Sequence, residues 1–389
     1  MALLTIGRVD NSRCRPQCFT TVNCICRWRL VPLTPFLWSA LAAASAGEMA
    51  SIVTKQLSHL AAGYSSNCTF SEPTWATPNR IALELPAMRL RQFSDHREGM
   101  PTLVCAPLAL HDATLTDFAP GHSLIEALQT SGVRNVFVTD WRSASPDMRF
   151  FSIDNYLAEL NVVVDELGGC ANLVGLCQGG WMALAYAARY PNKVHALVLA
   201  GTAVDIKAGA SELSRLAHTV PLSTFKQLVE IGDGRVSGAH LLQLWKNPPL
   251  ESEAIHGLLQ IRDDIVAPRS SRLITLFREW YARPIDLPGT YYLQVVHWLY
   301  KENQLAAGRL VGLGRAIDLS MVNVPIFLVG ARDDEIVAPE QLFAAKRLVG
   351  TKRRQIRQAI IGCSHLGLFM GANTLQTVWP KIGRWLRSS

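Results

Sequence analysis

Short apolar runs recur along the chain and alternate with stretches whose apolar positions return every three or four residues. The runs at residues 81–85, 88–93, 102–105, 135–139, 173–176, 194–199, 324–330 and 355–361 are too short for stable helices. Their bounds and apolar content predict strands, most of them buried. The periodic stretches at 121–130, 156–167, 181–189, 339–348 and 374–386 predict helices between them. Strands alternating with helices predict an α/β fold: a mainly parallel central sheet, helices on both faces, right-handed crossovers. From about residue 205 to 320 the alternation stops. Helical patterns and loops take over, broken by Pro248, Pro249, Pro284 and Pro288. The pattern therefore predicts a core formed by residues 81–204 and 321–389, with a mainly helical cap, residues 205–320, inserted between its two parts.

Residues 1–80 read as an N-terminal extension, partly disordered, with one amphipathic helix over 37–62 and a Pro- and Thr-rich linker over 71–78. The basic start and the apolar stretch ending at Ala44-Ser45-Ala46 imitate a secretory leader. The basic part is too long for one, however, and Pro32 and Pro35 interrupt an apolar stretch that is also too short to span a bilayer. The chain is expected not to be transmembrane. Its 389 residues are 49% apolar, enough for a sizeable core, and the net charge of +7 is mild for that length. The densest basic run, Lys346, Arg347, Lys352, Arg353, Arg354 and Arg357, has no interleaved aromatics, so it reads as a solvated face and no nucleic-acid partner is expected. Nine cysteines without disulfide-type spacing suit a reducing, cytoplasmic setting. Cys14, Cys18, Cys24 and Cys26 cluster, but no nearby His or matching second pair completes a metal site, so none is expected.

The candidate chemistry lies at Gly175-Leu176-Cys177-Gln178-Gly179-Gly180, between a predicted strand and a predicted helix. Glycines two before and two after a nucleophile, on a strand-to-helix turn, are the pattern of the G-x-S-x-G elbow with sulfur in place of oxygen. A buried cysteine beside a glycine-rich turn is the plainer alternative. In an α/β-hydrolase fold, the acid follows the strand after the cap and the histidine follows the last strand. Asp333-Asp334 and Gly362-Cys363-Ser364-His365 stand in those places. Cys177 at a helix N-terminus is expected as nucleophile, His365 as base and Asp334, ahead of Asp333, as the acid that orients it. The oxyanion hole is expected from the N–H of Gln178 and from the loop at 107–109, at Leu108. Trp181, His111 and Trp141 are candidate substrate contacts, while Cys105 and Cys363 are expected as packed thiols.

Sulfur bears on the reaction. A thiolate meeting an acyl thioester exchanges one thioester for another at nearly equal energy, and passing the acyl group to an alcohol is then downhill. Cysteine favours acyl transfer from a coenzyme A thioester to a hydroxyl over plain hydrolysis, although cysteine hydrolases also exist on this fold.

Beyond the elbow, several segments resemble the polyhydroxyalkanoate synthases. They include Asp140-Trp141-Arg142 with Asp154 and Tyr156, Tyr190 to Val194, Leu287 to Tyr292, Tyr300 to Leu305, Ile317 to Ser320, Gly330 to Asp334, and Gly362 to His365. The likeness covers roughly residues 78–387 and is nearest the shorter, two-subunit type. It implies polymerisation of (R)-3-hydroxyacyl-CoA through an acyl-thioester on Cys177, with no cofactor. It further implies a polyester granule surface, a second copy or a second synthase subunit as partners, and a cytoplasmic, granule-associated location. A cysteine-based depolymerase, esterase or thioesterase, and a weakly active granule-associated homologue, are the alternatives. Glu335 stands after the acid, where the family usually carries His.

Overall fold

The computed structural model describes residues 73–94, 98–239, 251–262 and 265–389. The amphipathic helix expected over 37–62, the cysteine cluster at 14–26, and Pro248 and Pro249 lie outside the described residues.

Eight strands build one sheet: β1 (Arg80–Glu84), β2 (Met88–Gln92), β3 (Thr102–Cys105), β4 (Val136–Trp141), β5 (Ala171–Leu176), β6 (Val194–Ala200), β7 (Ile326–Ala331) and β8 (Ile356–Ile361). Their order across the sheet is β1-β2-β4-β3-β5-β6-β7-β8. Only β2 runs against the others; every pair from β4 to β8 is parallel. This is the α/β-hydrolase fold, as the alternation of runs and periodic stretches predicted. β3, β4 and β5 are buried along their whole length. That explains why they read as continuous apolar runs rather than alternating ones.

Helices α1 (Leu124–Thr130), α2 (Ile153–Glu166) and α3 (Gln178–Arg189) lie in the connections between successive strands. α3 is buried from Gln178 through Ala188. Its two glycines and many alanines let its backbone lie close against the sheet, where larger side chains would hold it off. Two predicted helices are divided. Residues 339–348 form Pro339–Phe343 and Ala345–Leu348, and residues 374–386 fall on Ala372–Thr377 and Trp379–Ser388. In the second case Pro380 lacks an N–H to continue the first helix but fits the first turn of the next. The end of the expected linker is also tied down. Thr77 donates from its N–H and its hydroxyl to Asp117, at 2.8 Å each, and Arg91 lies over the Trp75 ring.

The chain leaves the sheet after Ala200 and returns at Ile326. Between them lie α4 (Glu212–Thr219), α5 (Leu222–Ile231), α6 (Ser252–Leu259), α7 (Ala267–Tyr281), α8 (Gly289–Gln294) and a π-helix (Val295–Lys301). Phe225, Phe277, Trp280, Tyr291 and Tyr292 are all buried here. The cap thus has an aromatic core of its own, continuous with that of the sheet.

Candidate active site

The site forms where β5 ends. Cys177 has φ 47° and ψ −111°, a backbone conformation that side-chain-bearing residues rarely adopt. Three close approaches hold it there. A Cβ on Gly175 would stand 2.5 Å from Gly180 Cα, one on Gly179 would stand 2.1 Å from the Cys105 carbonyl oxygen, and one on Gly180 would overlap Thr202. The glycines of the motif are therefore required by contact as well as by turn geometry. Cys177 is also the residue just before α3, at the positive end of that helix's dipole.

Asp334 follows β7 and His365 follows β8, and the sheet brings them together. His365 Nδ1 and Asp334 Oδ2 are 2.8 Å apart, and both side chains are essentially buried. Asp334 Oδ1 accepts from the N–H groups of Ile336 and Val337 at 3.0 and 2.8 Å, which fixes the carboxylate. Asp333 is exposed, with its N–H on the Cys363 carbonyl. The acid facing His365 is Asp334. Burial opposes charge on the His365 ring, but the Asp334 carboxylate to which it is hydrogen-bonded and the nearby Cys177 sulfur hold its pKa well above the usual value. Beside this pair, burial first and the Asp334 charge second push the Glu335 carboxyl up to about 7.

Gln178 opens α3, so its N–H has no carbonyl to meet within the helix. In the facing loop the Ala106 N–H donates to Thr139 Oγ1 at 3.0 Å, and Pro107 has no N–H. Leu108 therefore carries the first uncommitted N–H after β3. Its side chain is buried in the core and takes no part in lining the cavity. The contact of Gly179 with the Cys105 and Ala106 carbonyls places the start of α3 against this same loop.

A cavity of about 60 Å³ opens above Cys177, lined mainly by apolar side chains from the core and the cap, including Leu115, Leu213, Ile336 and Phe369. Trp181 and His111, the candidate substrate contacts, both line it. His111 stacks on Trp280 with ring centroids 4.4 Å apart, and its Nε2 donates to the Tyr281 carbonyl. Burial pushes its pKa down to about 4, so the ring is neutral. Trp141 is placed differently from expectation. It does not line the cavity; its indole N–H donates to the Ala106 carbonyl at 2.8 Å. Together with Thr139 it clamps the backbone of the β3 loop. Asp112 caps a short 3₁₀ turn through Thr114. Cys105 and Cys363 are buried, and burial pushes both thiols up to about 12.

Sequence reasoning missed Tyr300. It lines the cavity from the π-helix, and its hydroxyl accepts a hydrogen bond from Gln178 Nε2, while Trp181 Nε1 donates to Gln178 Oε1 at 2.8 Å. Trp280 and Leu213 were missed as well, because periodicity marks a cap residue as buried without saying what it is buried against. Among the described residues no group of three His, Cys, Asp or Glu side chains is placed to hold a metal, and no helix is long and apolar enough to cross a membrane.

Residues 266–389 match the family model described as PHB de-polymerase C-terminus. The chain is 26% identical over 303 residues to the poly(3-hydroxyalkanoate) polymerase subunit PhaC of Allochromatium vinosum, covering 75% of this chain and 83% of that protein. It is 25% identical over 324 residues to the subunit of the same name from Haloferax mediterranei, covering 79% of this chain and 63% of that one. Among solved structures, the monoacylglycerol lipase of Paleococcus ferrophilus superposes with a TM-score of 0.51 at 19% identity, over 77% of this chain and 98% of the lipase. At that identity the likeness speaks to the fold.

Proposed function

We propose that this chain, a relative of the polyhydroxyalkanoate synthases on the α/β-hydrolase fold, is an acyltransferase that builds polyester from (R)-3-hydroxyacyl-CoA. The observation that carries the reading is the His365–Asp334 pair at 2.8 Å, with His365 and a cysteine held on a strained turn lining the same cavity. The Cys177 thiolate attacks the thioester carbonyl, and the developing oxyanion is held by the N–H groups of Gln178 and Leu108. The carbonyl re-forms as the coenzyme A sulfur leaves, taking the proton that His365 holds. Neutral His365 then removes the proton from the acceptor hydroxyl, whose oxygen attacks the acyl-cysteine. A new ester bond forms, Cys177 leaves as thiolate, and His365 is again protonated. Asp334 keeps Nδ1 protonated throughout, so that Nε2 does the transfer. The mostly apolar cavity keeps water from competing with the acceptor.

A second reading has its own support: the match of residues 266–389 to the PHB de-polymerase C-terminus favours a hydrolase working through the same residues. Offering 3-hydroxybutyryl-CoA separates the two. Free coenzyme A together with insoluble polymer supports the synthase; free coenzyme A with only soluble hydroxyacid supports the hydrolase. Release of neither sinks the synthase and a thioesterase, and polyester offered in place of the thioester tests a depolymerase by the soluble hydroxyacid it yields. Under the synthase reading a polyester granule surface is the natural partner, with a second copy or a second synthase subunit beside it; co-sedimentation with polymer granules tests the first of these.

A further inference from the structure

The loop that follows β3 is held from two sides. On the core side, Thr139 and Trp141 grip Ala106. On the cap side, the chain leaving α7 lies along it. The Ile285 N–H donates to the Leu110 carbonyl at 2.7 Å, Pro284 faces His111 in an antiparallel bridge, and the His111 ring reaches the Tyr281 carbonyl at 2.9 Å. Tyr281 ends α7, where a helix leaves its carbonyls without partners of their own. Leu108, whose N–H is the second donor to the oxyanion, falls between the two sets of bonds.

His111 is the side chain that makes the cap-side hold. A carbonyl only accepts, so Nε2 carries the proton, and burial keeps the ring neutral by pushing its pKa down to about 4. The ring is stacked on Trp280 with centroids 4.4 Å apart and lies 4.9 Å from the Tyr281 ring, so it is fixed by the cap aromatics. The cap chain is anchored beyond this point as well. The Asp286 carbonyl accepts from the Ala144 N–H at 2.9 Å, its N–H donates to Ser143 Oγ at 2.9 Å, and its carboxylate accepts from the Gly238 N–H at 3.0 Å. Residues 281–286 therefore form a strut that spans the loops after β3 and β4.

We propose that His111 is a positioning residue: by bonding to the Tyr281 carbonyl it fixes the oxyanion loop to the cap, so that the Leu108 N–H meets the developing oxyanion only while the cap strut is seated. The inference rests on the acyltransferase reading, or on the hydrolase working through the same residues, since both pass through an oxyanion at Cys177. Its physical basis is that a donor stabilises a developing charge only if it is already aimed at it, so a small displacement forfeits most of the effect. A reaction of Cys177 that develops no oxyanion should be indifferent to His111.

The test compares two reactions of the same sulfur, each followed by the mass added at Cys177. Acylation by 3-hydroxybutyryl-CoA or by p-nitrophenyl butyrate develops an oxyanion; alkylation by iodoacetamide displaces iodide at a saturated carbon and develops none. In His111→Phe, which keeps a ring against Trp280 but has no N–H, acylation by both donors should slow by about tenfold to a hundredfold while alkylation stays within about twofold of wild type. His111→Gln, which restores a donor, should recover most of the acylation rate. Acylation and alkylation lost together, acylation unchanged in His111→Phe, or a His111→Gln no faster than His111→Phe each overturns the proposal. Wild type decides the matter even if the variants fail to fold. A trifluoromethyl ketone takes the Cys177 sulfur to give a hemithioketal whose oxyanion occupies the hole. It should raise amide protection against hydrogen exchange in residues 106–112 and 281–286 together, and protection confined to the first segment overturns the proposal. Failure of both acyl donors to label wild type overturns the acyltransferase and hydrolase readings and this inference with them, whereas labelling that ignores His111 removes this inference alone.

Discussion

The core and the cap meet at one cavity but are built on opposite principles. In the core, position is enforced by contacts and hydrogen bonds to the backbone: Gly179 lies on the Cys105 carbonyl, Thr139 and Trp141 hold Ala106, and Asp334 is gripped by two N–H groups. In the cap, position is enforced by side chains packed on side chains, with rings such as Phe277, Trp280, Tyr291 and Tyr292 filling the space. The first arrangement tolerates almost no change of atom count. The second adapts by repacking. Chemistry that must be exact within a fraction of an ångström sits on the core, which also supplies most of the cavity wall, and the cap closes that wall with Leu213, Trp280 and Tyr300.

The comparison can be broken most severely at the sulfur. Cys177→Ala should lower acyl transfer by at least about 10⁴-fold, since the remaining groups act as a unit with the nucleophile. Its unfolding midpoint should stay close to wild type, because the lost atom sits on the cavity wall. Coenzyme A release and a thermal melt check both halves, and a turnover rate near wild type would remove Cys177 from the mechanism. Asp334→Asn should cost about 10³-fold or more in kcat by favouring the wrong His365 tautomer, with little change in KM; a proportional rise in KM instead would speak for a binding role.

Stability offers a matched pair. Gly179→Ala forces a Cβ to within 2.1 Å of a carbonyl oxygen, so it should destabilise by about 3 kcal/mol or more, read by denaturant unfolding. Between these in size is a pH effect. His365 titrates above its ordinary 6.5 in the folded chain, so its contribution is complete below that value and is lost as pH rises through the folded pKa. Glu335, raised from its ordinary 4.5 to about 7, weakens the fold in the same direction between those values. Stability should therefore fall as pH rises, from about 4.5 for Glu335 and from about 6.5 for His365, by at most about 1.4 kcal/mol per pH unit for each proton. His365→Gln should flatten the slope above 6.5, and an unchanged slope would contradict the raised value. The smallest effect belongs to the cap: Gly257 lies within α6 with nothing inside 4 Å of a built Cβ, so Gly257→Ala should stabilise by about 0.5–1 kcal/mol. Equal responses at Gly179 and Gly257 would erase the distinction between the two regions.

The same contrast explains what could be read from the chain alone. The elbow was legible because its constraint is local, with Gly175, Cys177 and Gly179 within five residues. Asp334 and His365 were legible because each follows a strand whose apolar run is plain and whose order in the sheet is set by crossover handedness. Trp141 was misplaced because the end of β4 has two sides: the sequence puts an indole there but not whether it meets substrate or the Ala106 carbonyl. Tyr300 was missed for a different reason. Its direction depends on the phase of a helix, and helical periodicity assumes 3.6 residues per turn where the chain uses a wider turn.

That wider turn has a practical meaning for anyone who edits the cap. Each residue advances an α-helix by roughly 100° about its axis. Deleting a single residue between Val295 and Tyr300 is therefore the shortest change that would swing the phenol away from Gln178 while leaving every side chain of the elbow intact. Insertions and deletions here, rather than substitutions, are the coarse dial by which such a chamber is re-aimed, and point changes are the fine one.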